Sequence, residues 1–395
     1  MRVGDDLRTS RRVSTALSTA GAVGGVVEVL GFLVPLWAAA SLGAPSTLVG
    51  VVVGVELVVS FLARAAAGRL ADTRARNRVA ALGAATLALG AAGYALSPDV
   101  PTAIVSAAVA GLGASLFRVP VRAMVAEGSA DEPAVFARLT SSEATGTWVG
   151  YVVGLSALGL VGSRGVFALG AAAALACCAA LLRLDHRRTV TERDRVASRV
   201  LRRRLLPLLV LVAVVALVEG AVGLAVLLKL QGQGLGVDAI ALTFLPGLVV
   251  WSLLPVPGRR LAARLGAPRT LALATAASTV ASAALFLVDQ PLAIGIAWVL
   301  ACSAWALVEP VELELVTGSA DGRVGEALGT YEAAALLGGA IGAVAGGAAL
   351  ALEPRVVTVA VVLVVGACAA AMAPRAVRAL NAAASSGPHG PRDDD

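Results

Sequence analysis

The sequence predicts an all-α polytopic membrane protein, with twelve transmembrane helices arranged as two pseudo-symmetric six-helix bundles. Three observations lead there. Hydrophobic residues make up 58% of the 395 and charged residues 15%, with a mean hydropathy of +0.85, which is more apolar surface than a water-soluble domain can bury. The apolar residues come in runs of about 20, the length that crosses a bilayer as a helix. Landmarks of the first half return in the second at a shift of about 190 positions, the mark of a duplicated helical bundle.

In chain order the spans are expected at about 14–40, 45–67, 79–97, 102–125, 139–160, 165–183, 205–229, 238–257, 269–288, 291–315, 327–350 and 356–374. The first apolar run is far longer than a signal-peptide core, so it is expected to stay as helix 1. With the N-terminus in the cytoplasm, only Arg164, Lys229 and Arg355 fall in or beside outer loops. The positive-inside rule therefore places both termini in the cytoplasm of a multi-pass protein of the cell inner (plasma) membrane. The organisation expected is an N-terminal bundle (1–183), a basic linker with eight arginines (184–204), a C-terminal bundle (205–376) and a disordered tail (377–395). Part of the linker is expected to form an amphipathic surface helix.

The repeat pairs Glu28 with Glu219, Leu70-Ala71 with Leu261-Ala262, Pro120 with Pro310, Gly128-Ser129-Ala130-Asp131 with Gly318-Ser319-Ala320-Asp321, and Glu143 with Glu332. Between spans 2 and 3 stands Gly68-Arg69-Leu70-Ala71-Asp72-Thr73-Arg74-Ala75-Arg76-Asn77-Arg78, where five of eleven residues are charged. A tight turn at a membrane surface is expected there. Its glycine permits close helix packing, and its aspartate can sit against a neighbouring helix N-terminus. This stretch resembles the signature loop of the major facilitator superfamily, roughly Gly-x-Leu-Ala-Asp-Arg-x-Gly-Arg-Arg, matched at Gly68, Leu70, Ala71, Asp72 and Arg76. Thr73, Ala75 and Asn77 depart from it. The resemblance implies a loop that locks the cytoplasmic face while the transporter opens outward. The second-half copy, residues 259–269, carries Ala263 where Asp72 stands.

Charges inside a bilayer are costly and tend to mark pathways or proton relays. Spans 3, 6, 9 and 12 hold none in their interiors, whereas Glu28, Glu56, Arg118, Glu143, Glu219, Glu309 and Glu332 lie in spans 1, 2, 4, 5, 7, 10 and 11. In the fold that the resemblance implies, the four charge-free helices face lipid, while 1, 4, 7 and 10 line the cavity and 2, 5, 8 and 11 join the halves. Counting along hairpins at about 1.5 Å per residue puts Arg118 and Glu143 at one depth, so a salt bridge is expected. Glu309 and Glu332 share the matching depth without a basic residue between them. One of them is expected to keep a proton, or Arg118 to reach across when the halves close. Glu28 and Glu219 are mid-span on cavity helices, where burial favours the neutral carboxyl. Glu28 is the leading proton-site candidate. Arg64, Arg122, Glu127 and Arg138 are assigned to a cytoplasmic gate with Gly68, Asp72, Arg76 and Arg78, and Glu312 and Glu314 to the interface.

Glycines at Gly146, Gly150 and Gly154, and in span 11, suit close helix packing. Trp148, Tyr151, Trp251, Trp298, Trp305 and Tyr331 are candidates for an apolar cavity wall. Cys177, Cys178, Cys302 and Cys368 fall in apolar spans as buried free thiols, and His186 and His389 in polar segments, so no metal site is expected. The net charge of +6 is explained by the loops between spans, not by nucleic-acid binding. No phosphate loop or nucleophile with a base is found, and neither enzyme activity nor a cofactor is expected. The expected function is secondary active transport by alternating access, in which a monomer exports hydrophobic or cationic small molecules against protons. Antiporters of the family often carry a Gly-Pro pair in span 5, where this chain has Gly154-Leu155. Uptake or facilitated passage of a small polar metabolite, and a non-transporting sensor or assembly protein on the same fold, remain as alternatives.

Overall fold

A computed structural model describes residues 2–127, 134–185, 195–350 and 355–385, all helical apart from short connections. The helices are α1 (Arg2–Ser41), α2 (Ser46–Thr73), α3 (Arg76–Leu96), α4 (Val100–Ala126), α5 (Val135–Leu182), α6 (Arg195–Gly232), α7 (Val237–Leu253), α8 (Pro255–Leu265), α9 (Ala267–Leu287), α10 (Pro291–Gly318), α11 (Val324–Leu350) and α12 (Arg355–Ser385). The first copy of the Gly-Ser-Ala-Asp repeat, together with His186 and His389, lies outside the described residues.

α5 has 48 residues, about 72 Å of helix against a hydrocarbon core of roughly 30 Å. It holds spans 5 and 6, because Gly162 adopts φ 66°, ψ 176° and turns the chain back. That left-handed φ comes at little cost only to glycine. The side-chain contacts confirm the reversal. Arg164, just past the turn, donates to the Ser97 carbonyl at the end of α3 (3.2 Å), and Asn77, at the start of α3, donates to the Leu181 carbonyl at the far end of α5 (3.2 Å). Span 7 is then α6. Span 8 is the pair α7 and α8, bent by 58° where Pro255 opens a new helix. The second basic loop is thus largely helical instead of the turn its sequence repeat suggests.

Glycine seams set the pairing within each half. In the first, Gly21 and Gly25 of α1 face Gly146 and Gly150 of α5 so closely that a Cβ on Gly146 would overlap the Gly21 carbonyl. In the second, Gly220 of α6 meets Gly339 of α11, and Gly338 and Gly342 meet the α6 backbone at Ala213 and Leu217. Two further contacts join the halves. Gly68 of α2 packs on Gly325 of α11, and Trp148 of α5 donates to Ser252 of α7 (3.3 Å). Stripes at Leu82, Leu89 and Leu96 on α3, at Leu273, Val280 and Leu287 on α9, and at Val357, Val361 and Val364 on α12 stay exposed, as lipid-facing helices require.

Three boundaries differ from the sequence reading. The loop at residues 68–78 shrinks to Arg74 and Ala75, because α2 runs on to Thr73 and α3 begins at Arg76. α6 begins at Arg195, inside the expected linker. α12 continues to Ser385, past the expected start of the tail at 377, because Val377 and Leu380 are buried in the core. The cysteines are free, but Cys368 is exposed and Cys178 half-buried, against the expected burial of all four.

Candidate transport cavity and its gates

A cavity of about 1150 Å³ opens between the halves. Its lining begins at Arg64, Arg118, Glu143 and Glu309 and extends to Pro35, Leu36, Gln231, Leu235 and Gly236, next to the loops at 42–45 and 233–236. Those loops lie opposite the face that carries Arg74, Arg138 and Arg323, here called the basic face. The cavity is therefore open away from the basic face.

The basic face is closed by a latch that grows out of the α2–α11 packing. Gly68 lets α2 approach Gly325, which brings the Asp72 carboxylate onto the first turn of α11. Its Oδ1 accepts from the Gly325 N–H (2.7 Å) and its Oδ2 from the Glu326 N–H (2.8 Å). An anion thus sits on exposed N–H groups at the positive end of a helix dipole. Arg76 ties this latch to the end of α4. It pairs with Asp72 (3.5 Å) and Glu127 (3.2 Å) and donates to the Ala123 carbonyl (3.0 Å). Arg12, which the sequence reading did not single out, clamps Glu127 from α1 (3.1 Å). Gly68, Asp72, Arg76 and Glu127 are thus brought together, while Arg78 and Arg138 expose their side chains on the same face.

Arg64 and Arg122 are not in that latch, contrary to their sequence assignment. They form the cavity floor with Arg118. Arg122, 1% exposed, donates from Nε to Glu143 (3.2 Å) and from Nη2 to the other Glu143 oxygen (2.5 Å). It also reaches Glu309 (2.7 Å) and Glu332 (2.7 Å). Arg64 meets Glu332 at 2.9 Å, and Arg118 meets Glu332 at 3.4 Å and Glu143 at 3.7 Å. The expected Arg118–Glu143 bridge is present. The expected gap between Glu309 and Glu332 is filled by Arg122 from the other half. Three guanidiniums face three carboxylates, so the buried charge is compensated.

Above the floor stand two carboxyls outside its ion pairs. Glu28 on α1 and Glu219 on α6 line the cavity and make no hydrogen bond or ion pair with the described residues. Each sits beside its half's glycine seam, which fixes the helix that carries it. Phe32, one turn beyond Glu28, packs edge-on against Tyr151 (5.7 Å). Trp251, Trp298, Trp305 and Phe244 form a contiguous aromatic wall in the second half. Tyr331 lines the cavity too, whereas Trp148 is spent on Ser252. Glu56 is not brought into the cavity; its nearest polar partner is the Tyr94 hydroxyl (3.5 Å). Glu312, read as interfacial, is buried at the cavity edge and accepts from Tyr331 (3.0 Å). Glu314 lies 3.9 Å from Arg259 near the basic face.

The sequence pattern described as the Major Facilitator Superfamily matches residues 16–317, well over half of the chain. The chain belongs to the Major Facilitator Superfamily. The superfamily's members are transporters of small molecules, not enzymes, and the latch and cavity above are this chain's version of that architecture. The crystal structure of the human organic anion transporter MFSD10 (TETRAN) superposes with a TM-score of 0.71 at 18% identity, covering 94% of this chain and 99% of that one. At that identity the likeness is one of fold. No curated protein matches.

Proposed function

We propose that this protein is a proton-coupled exporter of hydrophobic or cationic small molecules that works by alternating access. It would act as a monomer in the plasma membrane, with the basic face and both termini in the cytoplasm. One observation carries the reading. Glu28 and Glu219 stand beside the apolar and aromatic wall of the cavity, and neither makes an ion pair with a guanidinium among the described residues. A carboxyl in that setting takes either a proton or a cationic ligand, and exchange of one for the other is the elementary step of antiport. The aromatic wall favours a cation with an apolar body. Its sparse polar groups, Gln231, Thr140, Thr147 and Ser156 among them, suit a sugar or amino acid poorly.

Proteoliposomes with an imposed pH gradient test the reading, with tetraphenylphosphonium as the probe. Probe-dependent proton movement is expected for the wild type and its loss for Glu28→Gln. Probe movement without proton movement, unchanged by the substitution, would leave a facilitator in which Glu28 is structural.

A further inference from the structure

The floor arginines are supplied by one half of the molecule, while their carboxylates come from both. Arg64 is on α2, Arg118 and Arg122 are one turn apart on α4, and Glu143 is on α5. Glu309 and Glu332 reach in from α10 and α11. For the cavity to open toward the basic face, α11 must leave α2 at the Gly68–Gly325 and Arg64–Gly329 contacts, and Glu332 leaves with it. The first half then holds three guanidiniums against the single carboxylate of Glu143. Unpaired charge at that depth is expensive, so an anion from solution is bound where the protein's own carboxylates had been.

The present state shows what that anion looks like. Glu332 offers a planar carboxylate whose Oε1 meets Arg122 (2.7 Å) and whose Oε2 meets Arg64 (2.9 Å) and Arg118 (3.4 Å). Two features point to room for a ligand. The Nε of Arg64, a residue only 6% exposed, has no hydrogen-bond partner among the described residues, and the Arg118 side chain is 39% exposed where it lines the cavity. Ala114, Phe117 and Ala144 supply an apolar surface beside these arginines for the body of an organic acid. We propose that Arg64, Arg118 and Arg122 form a subsite for a carboxylate-bearing solute, and that Glu309 and Glu332 are its built-in occupants when the basic face is closed. The subsite shares the cavity with Glu28 and Glu219 but makes no ion pair with either, and the proposal does not depend on the cation reading.

The test is benzoate binding to the purified full-length protein by titration calorimetry. Removing a built-in occupant frees the site, so Glu309→Gln is expected to tighten benzoate binding about tenfold over the wild type. Glu332→Gln is expected to do the same or more where it folds. Adding Arg118→Gln to Glu309→Gln is expected to abolish the gain. Sulfate, which lacks the planar carboxylate, is expected to gain less than threefold. Benzoate affinity unchanged in Glu309→Gln, a gain that survives Arg118→Gln, or an equal gain for sulfate overturns the proposal. Tetraphenylphosphonium binding, measured on the same Glu309→Gln sample, separates this failure from that of the cation reading, because it reports on the Glu28 and Glu219 wall.

Discussion

Glu28 on α1 of the first half and Glu332 on α11 of the second are both glutamates within membrane-spanning helices, yet Glu332 meets three arginines within 3.4 Å and Glu28 none. The difference separates a buried charge, Glu332, from one exposed to the cavity, Glu28. Charges on the floor are compensated by partners across the join between the halves, so they hold a conformation and are lost together when it changes. Glu28 and Glu219 on the wall make no hydrogen bond or ion pair with the described residues, which leaves them open to a proton or a ligand. A second contrast reinforces the first. The Asp72 latch of the first half bonds two backbone N–H groups of α11, whereas its repeat in the second half has Ala263 in place of the aspartate, beside a partly exposed Arg259–Glu314 pair.

The largest expected effect breaks the floor. Arg122→Ala leaves three carboxylates short of a buried guanidinium and is expected to cost about 3–5 kcal/mol, the range for removing one partner of a buried ion pair. Unfolding of the detergent-solubilised protein measures it. Asp72→Asn keeps the shape of the latch but removes its charge, and is expected to cost about 1.5–3 kcal/mol of closed-state preference, as for hydrogen bonds to charged groups. The readout is labelling of a cysteine placed on the basic-face side of α11, which becomes faster. Glu28→Gln, on the wall, is expected to change stability by less than about 1 kcal/mol, because no ion pair is lost. A loss as large as that of Arg122→Ala would erase the distinction between floor and wall. The smallest effect is expected for Arg259→Ala, within about 1 kcal/mol, since its pair is partly exposed and long.

Much of this contrast is legible in the residues. The repeat that aligns Glu28 with Glu219 does place both on cavity helices, and counting along the hairpin does find the Arg118–Glu143 pair. What counting along a helix gives is depth; it does not give rotation about the axis or what covers the helix end. Arg122 stands close to the basic-face end of α4, but Arg76, Arg12 and Glu127 cap that end, so it is buried and turned toward α10 and α11. Its spacing of four from Arg118, which puts both on one helix face, was the available signal. Arg12 offered no signal, lying in a polar leader with no periodic pattern. The Asp72 partners are backbone N–H groups, which leave no residue type to read. The break between spans 5 and 6, by contrast, is expected at 161–164 from span length, and Gly162 falls in it.

Proton release on ligand binding tests the division between wall and floor most directly. In weakly buffered solution, adding tetraphenylphosphonium to the purified protein is expected to release protons from the wild type and from Glu309→Gln alike. The double variant Glu28→Gln/Glu219→Gln is expected to release none. Release that persists in the double variant, or that vanishes in Glu309→Gln while Glu28 and Glu219 are intact, would contradict the account and move the exchangeable proton to the floor.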